Sequence, residues 1–279
     1  MTKGLICIDI DGTLTPVREQ VAQVVVEYLE GLVKTGYQLL FVTGRTHSWS
    51  VHLLKTLPFS YILASLNGAY IALMPENQTL LTHYIAFSKL SRIEPLVAKE
   101  EVALIICTGL DQDEKSFLYD RYADNALITH LEARKRALNE NWVRSQDLHA
   151  LQIEQCAALR IFCRRDTAPK LHKSLSTLSG VQVAMMKDSY DDQFSVVTVT
   201  DSGASKGLAA LSVAEYIGNN GPIIACGDDY NDIPMLKIAD CKVVMNTAPD
   251  DLQKLADIIC PSAAENGLIY GLQEALKRF

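Results

Sequence analysis

The stretch Leu5-Ile6-Cys7-Ile8-Asp9-Ile10-Asp11-Gly12-Thr13-Leu14-Thr15 decides how this chain folds. Its first half, LICIDI (5–10), is a short apolar run ended by a turn signal, which reads as a buried strand. Residues two apart on a strand share a face, so Asp9 and Asp11 leave it together. Gly12 lets the chain turn sharply at that point. Two carboxylates side by side repel unless a cation or a proton resolves them. A divalent metal and a shared reaction proton would do both, and a solvated acidic turn would carry the same letters.

Working outward, strands and helices alternate. Val21, Val25, Tyr28, Leu29 and Leu32 recur at helical spacing, with Gly36 placed to cap the helix end. LLFV (39–42) is the next strand, followed by a helix near 47–56 and the strand YILAS (61–65). The C-terminal part repeats the plan. A helix from Ser205 carries Leu208, Leu211, Ala214 and Ile217 on one face. PIIAC (222–226), a short helix from Asn231, KVVM (242–245), a helix near 250–256, DIIC (257–260) and a last helix to about 278 follow. Such alternation with short connections predicts an α/β protein built on a doubly wound parallel sheet.

The middle has another texture. It is richer in charge, with strands predicted over 157–163 and 194–200 and helices over 88–100 and 167–178. We read it as an inserted α+β domain (82–196) between two halves (1–81 and 197–279) of the sheet domain. The dense polar run Asp120, Arg121, Tyr122, Asp124 and Asn125 reads as a solvated loop of the insert.

Composition limits the function. A length of 279 residues suits two domains, and 48% hydrophobic residues with 21% charged supply a sizeable core. A net charge of −7 argues against broad nucleic-acid binding, which needs a basic face. It leaves a phosphorylated small molecule open, since one lysine and one metal ion reverse the local field. No apolar run approaches the roughly 18 residues of a membrane span. The N-terminus begins like a secretion signal, but Asp9 and Asp11 interrupt it. Seven cysteines without a C-x-x-C pair read as buried free thiols, which fits a reducing cytoplasm.

A second acidic cluster, Gly227-Asp228-Asp229-Tyr230-Asn231-Asp232, follows the strand PIIAC. Acidic residues suit the first turn of any helix, but two clusters at equivalent strand ends carry more weight together. In open parallel sheets those ends form the ligand crevice. A few hard oxygen ligands describe a Mg²⁺ site completed by water and phosphate. Thr43-Gly44-Arg45 offers a hydroxyl and backbone N–H groups at the same edge. Gly203-Ala204-Ser205-Lys206-Gly207 opens a helix, where free N–H groups and the dipole favour an anion.

The ordered set DIDGTLT (9–15), TGR (43–45), SKG (205–207) and GDDYNDIPML (227–236) resembles the haloacid dehalogenase superfamily, specifically its Cof-type phosphatases. Asn67-Gly68-Ala69 and Met245-Asn246-Thr247-Ala248 are similar to that subgroup too, and the insert is placed like its type-two cap. The resemblance implies a Rossmann-like core and a Mg²⁺-dependent phosphatase working through an aspartyl-phosphate. Asp9 is then the nucleophile, Asp11 the general acid/base, Thr43 a holder of the phosphoryl group and Lys206 its neutralising cation. Mg²⁺ falls to Asp9, Asp228 and the Asp11 carbonyl, with Asp232 supporting them. Gly44, Arg45, Asn67 and Asn231 are the expected substrate side. The partner implied is a small phosphorylated metabolite, a sugar phosphate or similar, acted on by a monomer or homodimer. A phosphomutase of the phosphomannomutase type and a non-catalytic phosphometabolite-binding protein are the alternative readings.

Overall fold

The structure is a computed structural model that describes residues 2–16, 20–110, 113–138, 140–148, 150–188 and 190–279. Strand β1 (Gly4–Asp9) leads through α1 (Gln23–Lys34), β2 (Tyr37–Val42) and α2 (His47–Leu54) to β3 (Tyr61–Ser65). A 3-10 turn, Leu66–Gly68, then feeds the strands β4 (Tyr70–Met74) and β5 (Gln78–Thr82). The insert follows: β6 (Ile85–Ala86), α3 (Leu90–Val97), β7 (Val102–Cys107), β8 (Ser116–Tyr122), α4 (Asn125–Ala137) and β9 (Val143–Arg144). Its second half is β10 (Gln155–Cys156), β11 (Ala158–Arg164), α5 (Ala168–Leu175), β12 (Val181–Lys187) and β13 (Phe194–Asp201). The chain closes with α6 (Lys206–Tyr216), β14 (Ile223–Gly227), α7 (Ile233–Ile238), β15 (Cys241–Met245), α8 (Asp250–Gln253), β16 (Ile258–Cys260) and α9 (Gly267–Leu276).

These elements form two compact units, residues 1–82 with 205–279 and residues 83–204. The first is built on a sheet in the order β16-β15-β14-β1-β2-β3-β4-β5. The strands from β16 to β3 run parallel, and the β4–β5 hairpin extends the edge antiparallel. Strand β1 is buried along its whole length because helices cover both faces. On one face Leu5, Cys7, Leu40 and Val42 pack against Ala209, Ala210 and Val213 of α6 and Met235 and Leu236 of α7. The alternate residues Ile6, Ile8, Leu39 and Phe41 are equally buried on the other, where α1 and α9 lie against β2 and β15. Each such aliphatic side chain contributes about 1.5–3 kcal/mol when removed from water.

The second unit carries a sheet in the order β12-β13-β11-β7-β8-β9, antiparallel except for the β8–β9 pair. Helices α3 and α5 bury Leu90, Ile93, Leu171 and Leu175 against Leu104, Ile106, Leu159, Ile161, Val197 and Val199. Helix α4 touches β7 and β11. Arg134 of α4 lies over the ring of Phe162, a β11 residue alternate to Leu159 and Ile161. The pleat therefore gives α4 the other face.

Two expectations need correction. A boundary at 196/197 would cut β13, whose residues pair with β11 and β12 throughout, so the insert ends after that strand. The polar run at 120–125 is not a loop: Asp120 and Tyr122 belong to β8, and Asp124 caps α4 by accepting the Leu127 N–H at 2.7 Å.

Candidate active site

Backbone geometry gathers the site before any side chain contributes. β1, β2 and β14 are adjacent and parallel, so Asp9, Thr43 and Asp228 emerge at one edge of the sheet. The chain order runs from β1 to β2 on one side, and β14 lies on the other, which makes β1 the point where connections diverge.

The turn after β1 is closed by its own backbone. Leu14 N–H donates to the carbonyls of Asp9 and Ile10, and Gly12 N–H to that of Thr15. Gly12 holds φ at +91°, in the left-handed region. A Cβ there would sit 2.3 Å from Asp228 Oδ2, so glycine is required twice over. Thr13 Oγ1 donates to Asp228 Oδ1 at 3.0 Å, tying the first acidic cluster to the second.

At the bottom of the site, Lys206 is 1% exposed and donates to Asp9 Oδ1 and, at 2.6 Å, to Asp232 Oδ1. It occupies the first residue of α6, behind the N-cap Ser205, whose Oγ accepts the Leu208 N–H. Asp232 is fully buried, and its second oxygen accepts the N–H groups of Asp228 and Asp229 at 2.9 and 3.0 Å. It therefore ties the loop after β14 to Lys206. Burial alone would lower the Lys206 ammonium; Asp232 and Asp9 overcome that and hold it charged, above its ordinary value. Burial pushes the Asp9 carboxyl up against the pull of Lys206, with Asp232 and Asp228 adding to the rise. Asp228 is pushed up to about 7, by burial first and then by Asp232 and Asp229.

Those shifts have one physical meaning. Three carboxylates face a single ammonium, and the surplus negative charge calls for a cation. Oxygens of Asp9, Asp228 and Asp232 lie within 4.8 Å of one another. An all-oxygen set of this kind fits a hard divalent ion. The Asp11 side chain is not in this group.

Arg45, expected on the substrate side, is turned onto Asp11 instead, with Nε–Oδ2 and Nη2–Oδ1 both at 2.9 Å. Thr43 Oγ1 accepts the Arg45 N–H at 3.1 Å, leaving the hydroxyl proton as a donor. Asn67 is buried at φ +57°, its N–H bonded to the Thr43 carbonyl and its Oδ1 accepting Asn231 Nδ2 at 3.3 Å. Its own Nδ2 is buried without a partner among the described residues. Gly44 follows Thr43 and is half-buried. Asp9, Asp11, Thr43, Gly44, Arg45, Asn67, Lys206, Asp228, Asn231 and Asp232 thus all fall in the first unit.

Sequence reasoning missed Thr13 and Trp49. The Thr13 hydroxyl was legible as the residue after the glycine turn. Trp49, whose ring lies 4.0 Å from the Arg45 guanidinium, left no signal beyond its spacing from Arg45.

Similarity to known proteins extends over nearly the whole chain. The chain is 23% identical over 274 residues to the 5-amino-6-(5-phospho-D-ribitylamino)uracil phosphatase YitU of Bacillus subtilis, covering 97% of this chain and 96% of that one. It is 27% identical over 275 residues to the pyridoxal phosphate phosphatase YbhA of Escherichia coli, covering 93% of each. A solved haloacid dehalogenase-like hydrolase from B. subtilis superposes with a TM-score of 0.78 at 21% identity, over 97% of this chain and 99% of its own. The family model of the haloacid dehalogenase-like hydrolases matches residues 6–272. With nearly the whole sequence inside that match, the chain belongs to the haloacid dehalogenase-like hydrolase family.

Proposed function

We propose that this protein is a phosphoric monoester hydrolase that moves the phosphoryl group of a small metabolite onto Asp9 and then to water. The observation that carries the reading is the buried Asp9–Lys206–Asp232 ion-pair chain with Asp228 beside it. An anionic nucleophile cannot approach a phosphate dianion unless fixed positive charge waits there.

Lys206 provides part of that charge. Asp9, Asp228 and the Asp11 carbonyl are the groups that would hold a divalent ion, with Asp232 behind them, and Mg²⁺ suits oxygen donors. Such an ion, when bound, screens the phosphoryl oxygens from the carboxylates. Asp9 attacks phosphorus as the bond to the leaving oxygen breaks, and Asp11 gives that oxygen its proton. Asp11 then takes a proton from the attacking water, phosphate departs and the Asp9 carboxylate is restored. The Thr43 hydroxyl and the free Asn67 amide are donors for the phosphoryl oxygens, with Gly44 and Asn231 beside them. The relatives are named for phosphorylated small molecules, which supports that substrate class. The insert is the proposed cap that reads the leaving group.

The test is phosphate release from 4-nitrophenyl phosphate and a panel of sugar and other metabolite monoesters, with Mg²⁺ and with chelator. Release is expected only with the metal, and none from Asp9→Asn. Release that persists in Asp9→Asn overturns the nucleophile; transfer between sugars without free phosphate favours a mutase.

A further inference from the structure

The proposed reaction asks Asp11 to hand a proton to the leaving oxygen while Asp9, two residues away, attacks phosphorus. The same carboxylate has a competing place to go. A divalent ion held by Asp9, Asp228 and Asp232 would attract a fourth carboxylate on a short tether, and a carboxylate bound to it would no longer carry a proton.

The Arg45 guanidinium holds Asp11 elsewhere. Both Asp11 oxygens are engaged by two parallel N–H donors at 2.9 Å, the bidentate arrangement that fixes orientation as well as distance. The fork is itself held rigidly. The guanidinium lies 4.0 Å from the Trp49 ring, its side chain is 8% exposed, and the Arg45 backbone is bonded at both ends, N–H to Thr43 Oγ1 and carbonyl to the Leu66 N–H. The remaining nitrogen, Nη1, is buried and has no hydrogen-bond partner among the described residues.

We infer that Arg45 is a positioning residue for the acid–base step: it keeps Asp11 out of the cation site and aims its carboxyl at the leaving oxygen, and does not itself bind substrate. The inference rests on the proposed role of Asp11. A lysine cannot reproduce the fork, since its ammonium is a point charge without the planar two-donor geometry.

The experiment compares wild type, Arg45→Met, Arg45→Lys, Asp11→Asn and the Arg45→Met/Asp11→Asn double variant. Each is assayed with Mg²⁺ on 4-nitrophenyl phosphate, whose leaving group needs no proton, and on β-glycerol phosphate, whose leaving group does. Inhibition by inorganic phosphate reports binding apart from chemistry, and circular dichroism melts confirm folding. For Arg45→Met, kcat/KM is expected to fall roughly 100-fold on the alkyl ester, and far less on the nitrophenyl ester. Phosphate inhibition should stay within about threefold of wild type, Arg45→Lys should recover part of the loss, and the double variant should be no worse than Asp11→Asn. Equal losses on both esters with weakened phosphate inhibition would instead make Arg45 a substrate ligand and overturn the inference. Additive losses in the double variant would overturn it too. If Asp11→Asn alone shows no leaving-group dependence, the acid itself has been misassigned, and the clamp loses its purpose with it.

Discussion

Gly12 shows how closely single residues are constrained at this site. Its backbone sits at φ +91°, and an added Cβ would fall 2.3 Å from Asp228 Oδ2 and 2.8 Å from Asp228 Cγ. Gly12→Ala cannot be accommodated by rotating a flexible tip, because Asp228 is held by Thr13 Oγ1 and by its own N–H bonded to Asp232. We predict that this variant folds, loses at least tenfold in turnover and binds Mg²⁺ more weakly by titration calorimetry, at a cost of about 1–3 kcal/mol for the strained backbone. Unchanged Mg²⁺ affinity would sink the prediction. The residues of the site were legible where chemistry packs them into few consecutive letters, as in Asp9-Ile10-Asp11-Gly12 and Gly227-Asp228-Asp229-Tyr230-Asn231-Asp232. The partnership of Arg45 with Asp11 was not legible. It joins residues 34 apart, and a lone sequence carries no rule that sends a turn arginine to a carboxylate and not to a ligand.

At the scale of elements, α6 converts a helix start into a charge placement. Ser205 accepts the Leu208 N–H at 3.1 Å, and Lys206 begins the helix already turned toward Asp9. Gly207 comes next because a Cβ there would meet the Pro234 carbonyl oxygen at 2.5 Å, so α6 and α7 approach closely. Ser205→Ala removes one cap bond, and the expected cost is about 1 kcal/mol in urea unfolding with a measurable fall in kcat as Lys206 loses its anchor. A loss of stability with kcat untouched would show that the cap serves the helix alone. Parallel strands were readable to within a residue or two because they are continuous apolar runs between turn signals. The β4–β5 hairpin was not anticipated, although Pro75, Glu76 and Asn77 mark its turn. In the insert, β7, β8, α4 and β12 went unread. Helix α4 gathers its charges Glu132, Arg134, Lys135 and Arg136 in its second half, and its buried face includes His130 and Arg134, so no apolar stripe marks it.

At the scale of the whole chain, two units carry separate cores, and the insert's holds an ionic cluster that composition alone does not reveal. Asp188 has a fully buried side chain that meets Arg134 Nε at 3.2 Å, His130 Nε2 at 3.4 Å and the Tyr190 N–H at 2.6 Å. Arg134 also pairs with Glu140 at 3.0 Å, and the His130 ring stacks on Phe194 at 3.9 Å. Burial alone would raise the Asp188 carboxyl; His130, Arg134 and the Tyr190 N–H outweigh it and hold it down at about 2, against an ordinary 3.8. A carboxyl lowered by folding stabilises the protein above its unfolded value and loses that contribution as pH falls through its folded value. The Asp188 contribution, about 2 kcal/mol, is therefore complete at neutral pH and disappears between roughly pH 4 and pH 2. Asp188→Asn leaves Arg134 without its deepest partner, and the expected loss is roughly 3–5 kcal/mol at pH 7. Melting temperatures of wild type and variant, followed from pH 7 to pH 2.5, should lie furthest apart at neutral pH and draw closer below pH 4, by no more than the roughly 2 kcal/mol that protonating Asp188 removes. A narrowing gap is the signature of this carboxylate, because acid removes from the wild type the charge that the substitution has already removed. A gap that stayed constant over the whole range would assign the loss to packing and remove Asp188 from the acid response.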